Sequence, residues 1–181
     1  QRIENTGLIQ STGDQYIEGS TILNKKGQIL SSGAMTILGE GLISNEKGQI
    51  HSDGILYIES KTGDVQNIGE SYAEIDENGT IRIISEEKSQ ITSGEDLTIK
   101  GKNIYNTSGS TIKGSGVTGL IGENLYNLSY TAQSGERVTI GEGSRIEGRE
   151  VYVEMTGKVI NGSEALDYGT ERRPDGVVVD N

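Results

Sequence analysis

Gly27-Gln28-Ile29-Leu30-Ser31-Ser32-Gly33 is the middle one of three copies of a single phrase, Gly-x-Ile-x-Ser-x-Gly. The others are Gly7-Ile9-Ser11-Gly13 and Gly48-Ile50-Ser52-Gly54. Each copy follows an aliphatic-x-Asn signal: Ile3-x-Asn5, Ile22-x-Asn24 and Ile43-x-Asn45. The signal returns at Val65-x-Asn67, Ile104-x-Asn106, Leu125-x-Asn127 and Val159-x-Asn161. The period is about twenty-one residues, inside the range that marks repeat architectures.

Apolar and polar residues alternate over three to five positions, as at Leu97/Ile99 and Val151/Val153. A period of two puts the apolar set on one face of a strand. Gly, Asn or Ser then breaks each run, and these residues tolerate the backbone angles of a sharp corner. Short strand, corner and short strand, repeated, describe one coil of a β-solenoid. The expected fold is all-β: a right-handed parallel β-helix with coils of about 20–22 residues. Equivalent residues then lie above one another, about 4.8 Å apart. Ile stacks on Ile inside. The amides of Asn5, Asn24, Asn45, Asn67, Asn106, Asn127 and Asn161 are expected to form a hydrogen-bonded ladder. Eight or so coils would make a rod of about 40 Å. A hexapeptide left-handed helix fits less well, since its coil has about 18 residues, and the calcium-binding Gly-Gly-x-Gly-x-Asp repeat is absent.

Composition agrees. Ile, Leu and Val number 23, 11 and 9 in 181 residues, whereas Phe and Trp are absent. That aliphatic content lies above the range of disordered chains, despite a net charge of −11. β-Branched residues suit a pleated surface. No cysteine is present, which removes disulfides and thiolate metal sites. No apolar run is long enough to be a membrane-spanning helix. The acidic balance argues against nucleic acid and against anionic lipid surfaces. The first residues show no signal-peptide pattern, so any export signal is expected outside this sequence.

The period is interrupted. Within residues 68–89, Asn78-Gly79 separates two alternating runs, which predicts a β-hairpin projecting from the rod, or an irregular coil. Residues 114–134 are Gly-rich and then polar, and a loop is allowed there. The domain is therefore read as one rod over 1–162, with an insertion at about 68–89. Residues 163–181 form a terminal cap or a disordered tail, and Val177-Val178-Val179 is a candidate capping strand.

Residues 93–112, with Ser93-Gly94-Glu95-Asp96-Leu97-Thr98-Ile99 and Ile104-Tyr105-Asn106-Thr107-Ser108-Gly109, carry the phrase in a second form. Together with the first copies they resemble the haemagglutinin repeats of filamentous haemagglutinin-type exoproteins. The second form looks most like repeats of contact-dependent growth-inhibition exoproteins. The resemblance covers most of residues 3–162. It implies secretion from Gram-negative bacteria by the two-partner route, through an outer-membrane transporter. It also implies residence on the cell surface and a host-cell or neighbouring-bacterium receptor, protein or glycan. Members act as adhesins, haemolysins or toxin carriers. The Val-Glu-Asn-Asn boundary of the toxin carriers does not occur in the sequence.

Three functional readings follow. The leading one is a structural rod segment of a large surface exoprotein, with neither enzymatic activity nor cofactor. The second is a receptor- or carbohydrate-binding module using the 68–89 insertion, with Tyr72, Glu74, Asp76, Asn78 and Arg82 as its surface. Tyr16, Tyr57, Tyr105, Tyr126, Tyr130 and Tyr152 would join it if they shared a face; strand filling is the plainer role. The third is a polysaccharide-acting enzyme, which needs two facing carboxylates. Asp53, Asp64, Glu74 and Asp76 are candidates, but a solvated acidic face explains them as well. His51 is the only histidine, and alternation with Ile50 points it outward.

Overall fold

The computed structural model describes residues 1–85, 87–134 and 137–165. The chain winds as a parallel β-helix with three faces. Coil one is β1 (Arg2–Asn5), β2 (Leu8–Ser11) and β3 (Gln15–Gly19). Coil two is β4 (Thr21–Lys25), β5 (Gln28–Ser31) and β6 (Met35–Gly39). Coil three is β7 (Ile43–Glu46), β8 (Gln49–Ser52) and β9 (Leu56–Ser60). Coil four starts with β10 (Val65–Ile68), leaves the rod as the hairpin β11 (Ser71–Ile75) and β12 (Ile81–Ser85), and returns with β13 (Gln90–Ser93). It closes on β14 (Leu97–Thr107), which bends through a corner into the first face of coil five. After β15 (Thr111–Gly114), β16 (Val117–Ser134) does the same into coil six and runs on to pair with β17 (Arg137–Ile140). β18 (Arg145–Glu147) and β19 (Glu150–Met155) complete coil six, and β20 (Val159–Ala165) opens a seventh.

The faces stack in unbroken register. Face one runs β1, β4, β7, β10, β14, β16, β20; face two β2, β5, β8, β13, β15, β18; face three β3, β6, β9, β14, β16, β19. Seven rungs on face one give about 29 Å at the usual strand spacing, shorter than the expected 40 Å. Two coils spend their extra residues sideways, so fewer coils fit into the described residues. Residues 114–134, where a loop was allowed, are instead mostly β16, paired rung for rung with β14 from Leu97↔Thr118 to Thr107↔Leu128. Their glycines do not break the strand because the neighbouring coil dictates the backbone. β20 also carries regular structure to Ala165, past the end expected at 162. The remainder of the expected tail, including Val177-Val178-Val179, lies outside the described residues.

Each position of the phrase has a job. The Ile is core: Ile29, Ile50, Ile91 and Ile112 stack in one column of face two, each at most 1% exposed. The Ser ties its corner to the coil below, with Ser31 Oγ donating to the Gly13 carbonyl and Ser52 Oγ to that of Gly33, both at 2.7 Å. The first Gly leaves room for asparagine. A β-carbon at Gly27 or Gly48 would stand 2.6 Å from an amide atom of Asn24.

Those asparagines form one continuous ladder. Asn5 Nδ2 donates to Asn24 Oδ1 at 2.8 Å, Asn24 to Asn45 at 2.7 Å, and Asn45 to Asn67 at 2.9 Å. Asn67 donates to Asn106 at 2.8 Å, Asn106 to Asn127 at 2.8 Å, and Asn127 to Asn161 at 2.7 Å. From Asn5 to Asn127, each amide also binds a carbonyl of the adjoining corner. Asn45 Nδ2 reaches the carbonyls of Gly48 and Gln90, both at 3.0 Å. The four central members are fully buried. Losing one strands several buried polar groups at once. Asn45→Ala is therefore expected to cost about 3 kcal/mol in urea denaturation. Asn161→Ala, at the exposed end, should cost less than about 1 kcal/mol.

Candidate functional site

Two insertions leave the rod at the same corner, directly after face one. The first is the β11–β12 hairpin, antiparallel with Tyr72↔Ile84, Glu74↔Arg82 and Ile75↔Ile81 in register. The second is the outer end of β16 with β17, antiparallel from Thr131↔Ile140 to Ser134↔Arg137. They spring from coils four and six, and only the tight Thr107–Ser110 turn of coil five lies between. They therefore meet. Ala73, Ile81 and Ala132 form a small buried cluster of their own, flanked by Ile83 and Tyr130. Thr139 Oγ1 donates to the Ile81 carbonyl at 3.0 Å. Ion pairs fasten the stems: Lys47–Glu70 at 2.7 Å, Lys26–Glu87 at 3.1 Å and Lys88–Glu142 at 2.5 Å. The Glu70 carboxylate raises the pKa of Lys47, against a partial desolvation. Exposed Ile75, Val138 and Ile140 stand on this lateral unit.

The residues expected to form a binding surface divide. Glu74 and Arg82 are cross-strand partners, and Arg82 and Asn78 are exposed. Tyr72 is only 8% exposed, so it packs at the hairpin base instead of offering a contact. It shares a strand face with Glu74, opposite the face on which Ala73 and Ile81 pack against Ala132, and alternation alone does not say how each face of a projecting hairpin is covered. Asp76 serves the turn: its carboxylate accepts the amides of Asn78 and Thr80 at 2.9 and 2.8 Å. The second insertion escaped the sequence reading because it has no Asn-Gly turn and extends a rod strand without a break. The 34-residue step from Asn127 to Asn161, against 21 from Asn106 to Asn127, was its only signal.

The enzymatic candidates do not converge. Asp53 sits at the second corner, Asp64 at the third beside Asn103 (2.9 Å), and Glu74 and Asp76 on the hairpin. Among the described residues, no group of three or more His, Asp and Glu is placed to hold a metal ion. His51 is more engaged than a bare surface residue. Its Nδ1 lies 2.6 Å from Thr92 Oγ1 and its Nε2 2.9 Å from Asp53 Oδ1. Parallel register stacks Thr92 on His51. The hydroxyl–imidazole–carboxylate order imitates a hydrolytic triad. However, the neighbouring strand N–H groups are committed to the β13–β8 and β13–β15 ladders, which leaves no preorganised oxyanion donors there.

The tyrosines do not share one face. Tyr105 and Tyr126 stack on the outside of face one, centroids 4.9 Å apart and planes within 12°. Tyr130 belongs to the lateral cluster. Tyr16, Tyr57 and Tyr152 share one column of face three, and each donates its phenol to a glutamate two residues on. The distances are 2.8 Å to Glu18, 2.6 Å to Glu59 and 2.6 Å to Glu154. These bonds raise the Tyr16 and Tyr152 phenol pKa values, whereas burial leads for Tyr57, with the Glu59 bond second.

The Asp76 turn gives a pH test. The Thr80 amide, then that of Asn78, and the Arg82 charge hold the Asp76 carboxyl below its ordinary value, against some desolvation. A depressed folded pKa stabilises the turn above the unfolded Asp pKa, and this contribution is lost as pH falls through the folded value. The Thr80 and Asn78 amide NMR signals should shift through an acidic transition below the normal Asp range. In Asp76→Asn that transition should vanish.

The haemagglutinin repeat profile matches residues 2–60 and 88–133. The unmatched stretch between them contains the whole first hairpin together with β10 of the rod. Comparison with curated proteins and with solved structures finds no match. On a profile covering more than half its length, and on coils that place each residue of the phrase, the chain belongs to the haemagglutinin repeat family of filamentous haemagglutinin-type proteins.

Proposed function

We propose that this chain is a rod segment of a large secreted or surface-anchored bacterial exoprotein, holding adhesive or toxin-delivery parts away from the cell. The observation that carries the reading is the unbroken register of three faces and one asparagine ladder over the described coils. A solenoid's coils contact only their neighbours, so such a rod folds by propagation from whichever coil forms first. That suits a chain threaded unfolded through an outer-membrane transporter of the two-partner type, as does the absence of cysteine. In this reading the structure transmits distance, and its chemistry is internal.

One observation favours a second reading, a receptor-binding module. Two insertions from different coils pack on each other around a shared apolar cluster and expose Ile75, Val138 and Ile140. Removing both insertions from the full-length parent, with short Gly-Ser turns in place of residues 70–87 and 129–143, separates the two. The rod reading expects export to the cell surface, β-rich circular dichroism and cell attachment all retained. Attachment lost with export intact would assign binding to the paired hairpins. Failure of the shortened chain to reach the surface at all would contradict the rod reading.

A further inference from the structure

Tyr-Ile-Glu at 16–18, Tyr-Ile-Glu at 57–59 and Tyr-Val-Glu at 152–154 are one motif used three times at one position of the coil. The register places them in a single outward column: Tyr16, Thr36, Tyr57, Thr98, Gly119, Tyr152. Beside it runs a second column: Glu18, Leu38, Glu59, Lys100, Ile121, Glu154. Tyr16 and Tyr152 are 62% and 52% exposed. Tyr57 is half-buried, with the Lys100 ammonium 5.4 Å from its ring centre. All three rings are fixed by phenol–carboxylate bonds, so little side-chain freedom is left to lose on binding.

We propose that this strip of face three is a binding track for a linear, uncharged, hydroxyl-rich polysaccharide lying along the rod axis. Shape is the first argument. The strip is two side chains wide and five rung intervals, about 24 Å, long. That is far below the roughly 800 Å² per partner of a specific protein interface, but it suits a single extended polymer. Spacing is the second. The tyrosines stand two and three rungs apart, about 9.6 and 14.4 Å. A pyranose joined through opposite ring positions advances by about one rung, so two and three sugar units reach from ring to ring. A polyproline peptide repeats every three residues, about 9.3 Å, and meets only the first spacing. Chemistry is the third. Each phenol donates its hydrogen bond to a glutamate, so the strip offers mainly acceptor oxygens to a ligand rich in O–H donors. The three carboxylates outnumber the Lys100 ammonium, and nearby Lys61 is paired with Glu40, so the strip repels a sulfated or uronic-acid chain. The track uses the rod itself and not the insertions, and from the rod reading it takes only the coil register.

The test uses the whole chain with cellohexaose and chitohexaose, read by calorimetry and by intrinsic fluorescence, which is tyrosine alone because the chain has no Trp. At least one hexasaccharide should bind, and its trisaccharide roughly tenfold more weakly. Tyr16→Ala with Tyr152→Ala, both exposed positions, should weaken hexasaccharide binding by about tenfold or more. Far-UV circular dichroism of this variant should be unchanged, which keeps a lost track distinct from a lost rod. Failure of both hexasaccharides to bind overturns the proposal. So does binding that survives the double variant with the rod intact, or tighter binding of heparin or a proline-rich peptide at the same tyrosines.

Discussion

The corner after face one is where neighbouring coils of this rod bury a continuous row of side-chain amides. There the asparagine amide must donate up the ladder and into its own turn, and accept from the coil below. Aliphatic stacking would tolerate a slip between coils, because Ile, Leu and Val interchange along the face-one column. The amide would not: a shifted Asn leaves a buried donor and acceptor unmatched, at more cost than one misplaced methyl group. The apolar columns supply most of the driving force for burial, and the amide row supplies the address. Gly27 and Gly48 are drawn in by the same need, since a side chain there would occupy the amide's place.

The ladder corner is also where the chain is free to leave. Lys26, Lys47 and Ser108 adopt left-handed φ values of 55°, 53° and 60°, each two residues after a ladder asparagine. At the same offset coil four has Gly69 and coil six Ser129, where the two insertions begin. The asparagine has already fixed the register, so the chain can travel outward and return without disturbing the rungs. Lengthening such a connection costs little, about 0.6 kcal/mol per doubling. The lysines of the ordinary corners then receive the insertion stems through Glu70 and Glu87. The corner's geometry permits the insertions, and its charges seat the first of them.

This division explains what could be read in the sequence. The phrase Gly-x-Ile-x-Ser-x-Gly and its asparagine are legible because each letter answers to a contact with the neighbouring coil, and those contacts repeat. The first hairpin is legible because Asn78-Gly79 encodes a local turn, with Gly79 at φ 75°. The second is hidden, since its strand is the tail of β16 and its place is set by packing on the first hairpin, a contact between segments 50 residues or more apart in sequence. The burial of Tyr72 is hidden as well, since alternation does not say how each face of a projecting hairpin is covered. Residues 114–134 read as loop-like because glycines 114, 116, 119 and 122 lower local strand preference, yet ten residue pairs between β16 and β14 override it.

A rod with these rules separates two kinds of residue. Inward positions and corners answer to the coil above and below, so any change in them is felt along the axis. Outward positions answer to nothing but solvent and to each other, and their chemistry is free to vary coil by coil. On face three that freedom produces no random scatter. Three of its six rungs carry the same tyrosine and the same glutamate, already bonded to each other, while the rungs between carry only Thr or Gly in the tyrosine column. Inside the rod a repeated residue needs no explanation beyond stacking. These three are not in contact through stacking, because at least one small rung separates each from the next. The coil fold does not require their recurrence, and that makes the strip, more than any acid or histidine, the part of the rod surface with a pattern of its own.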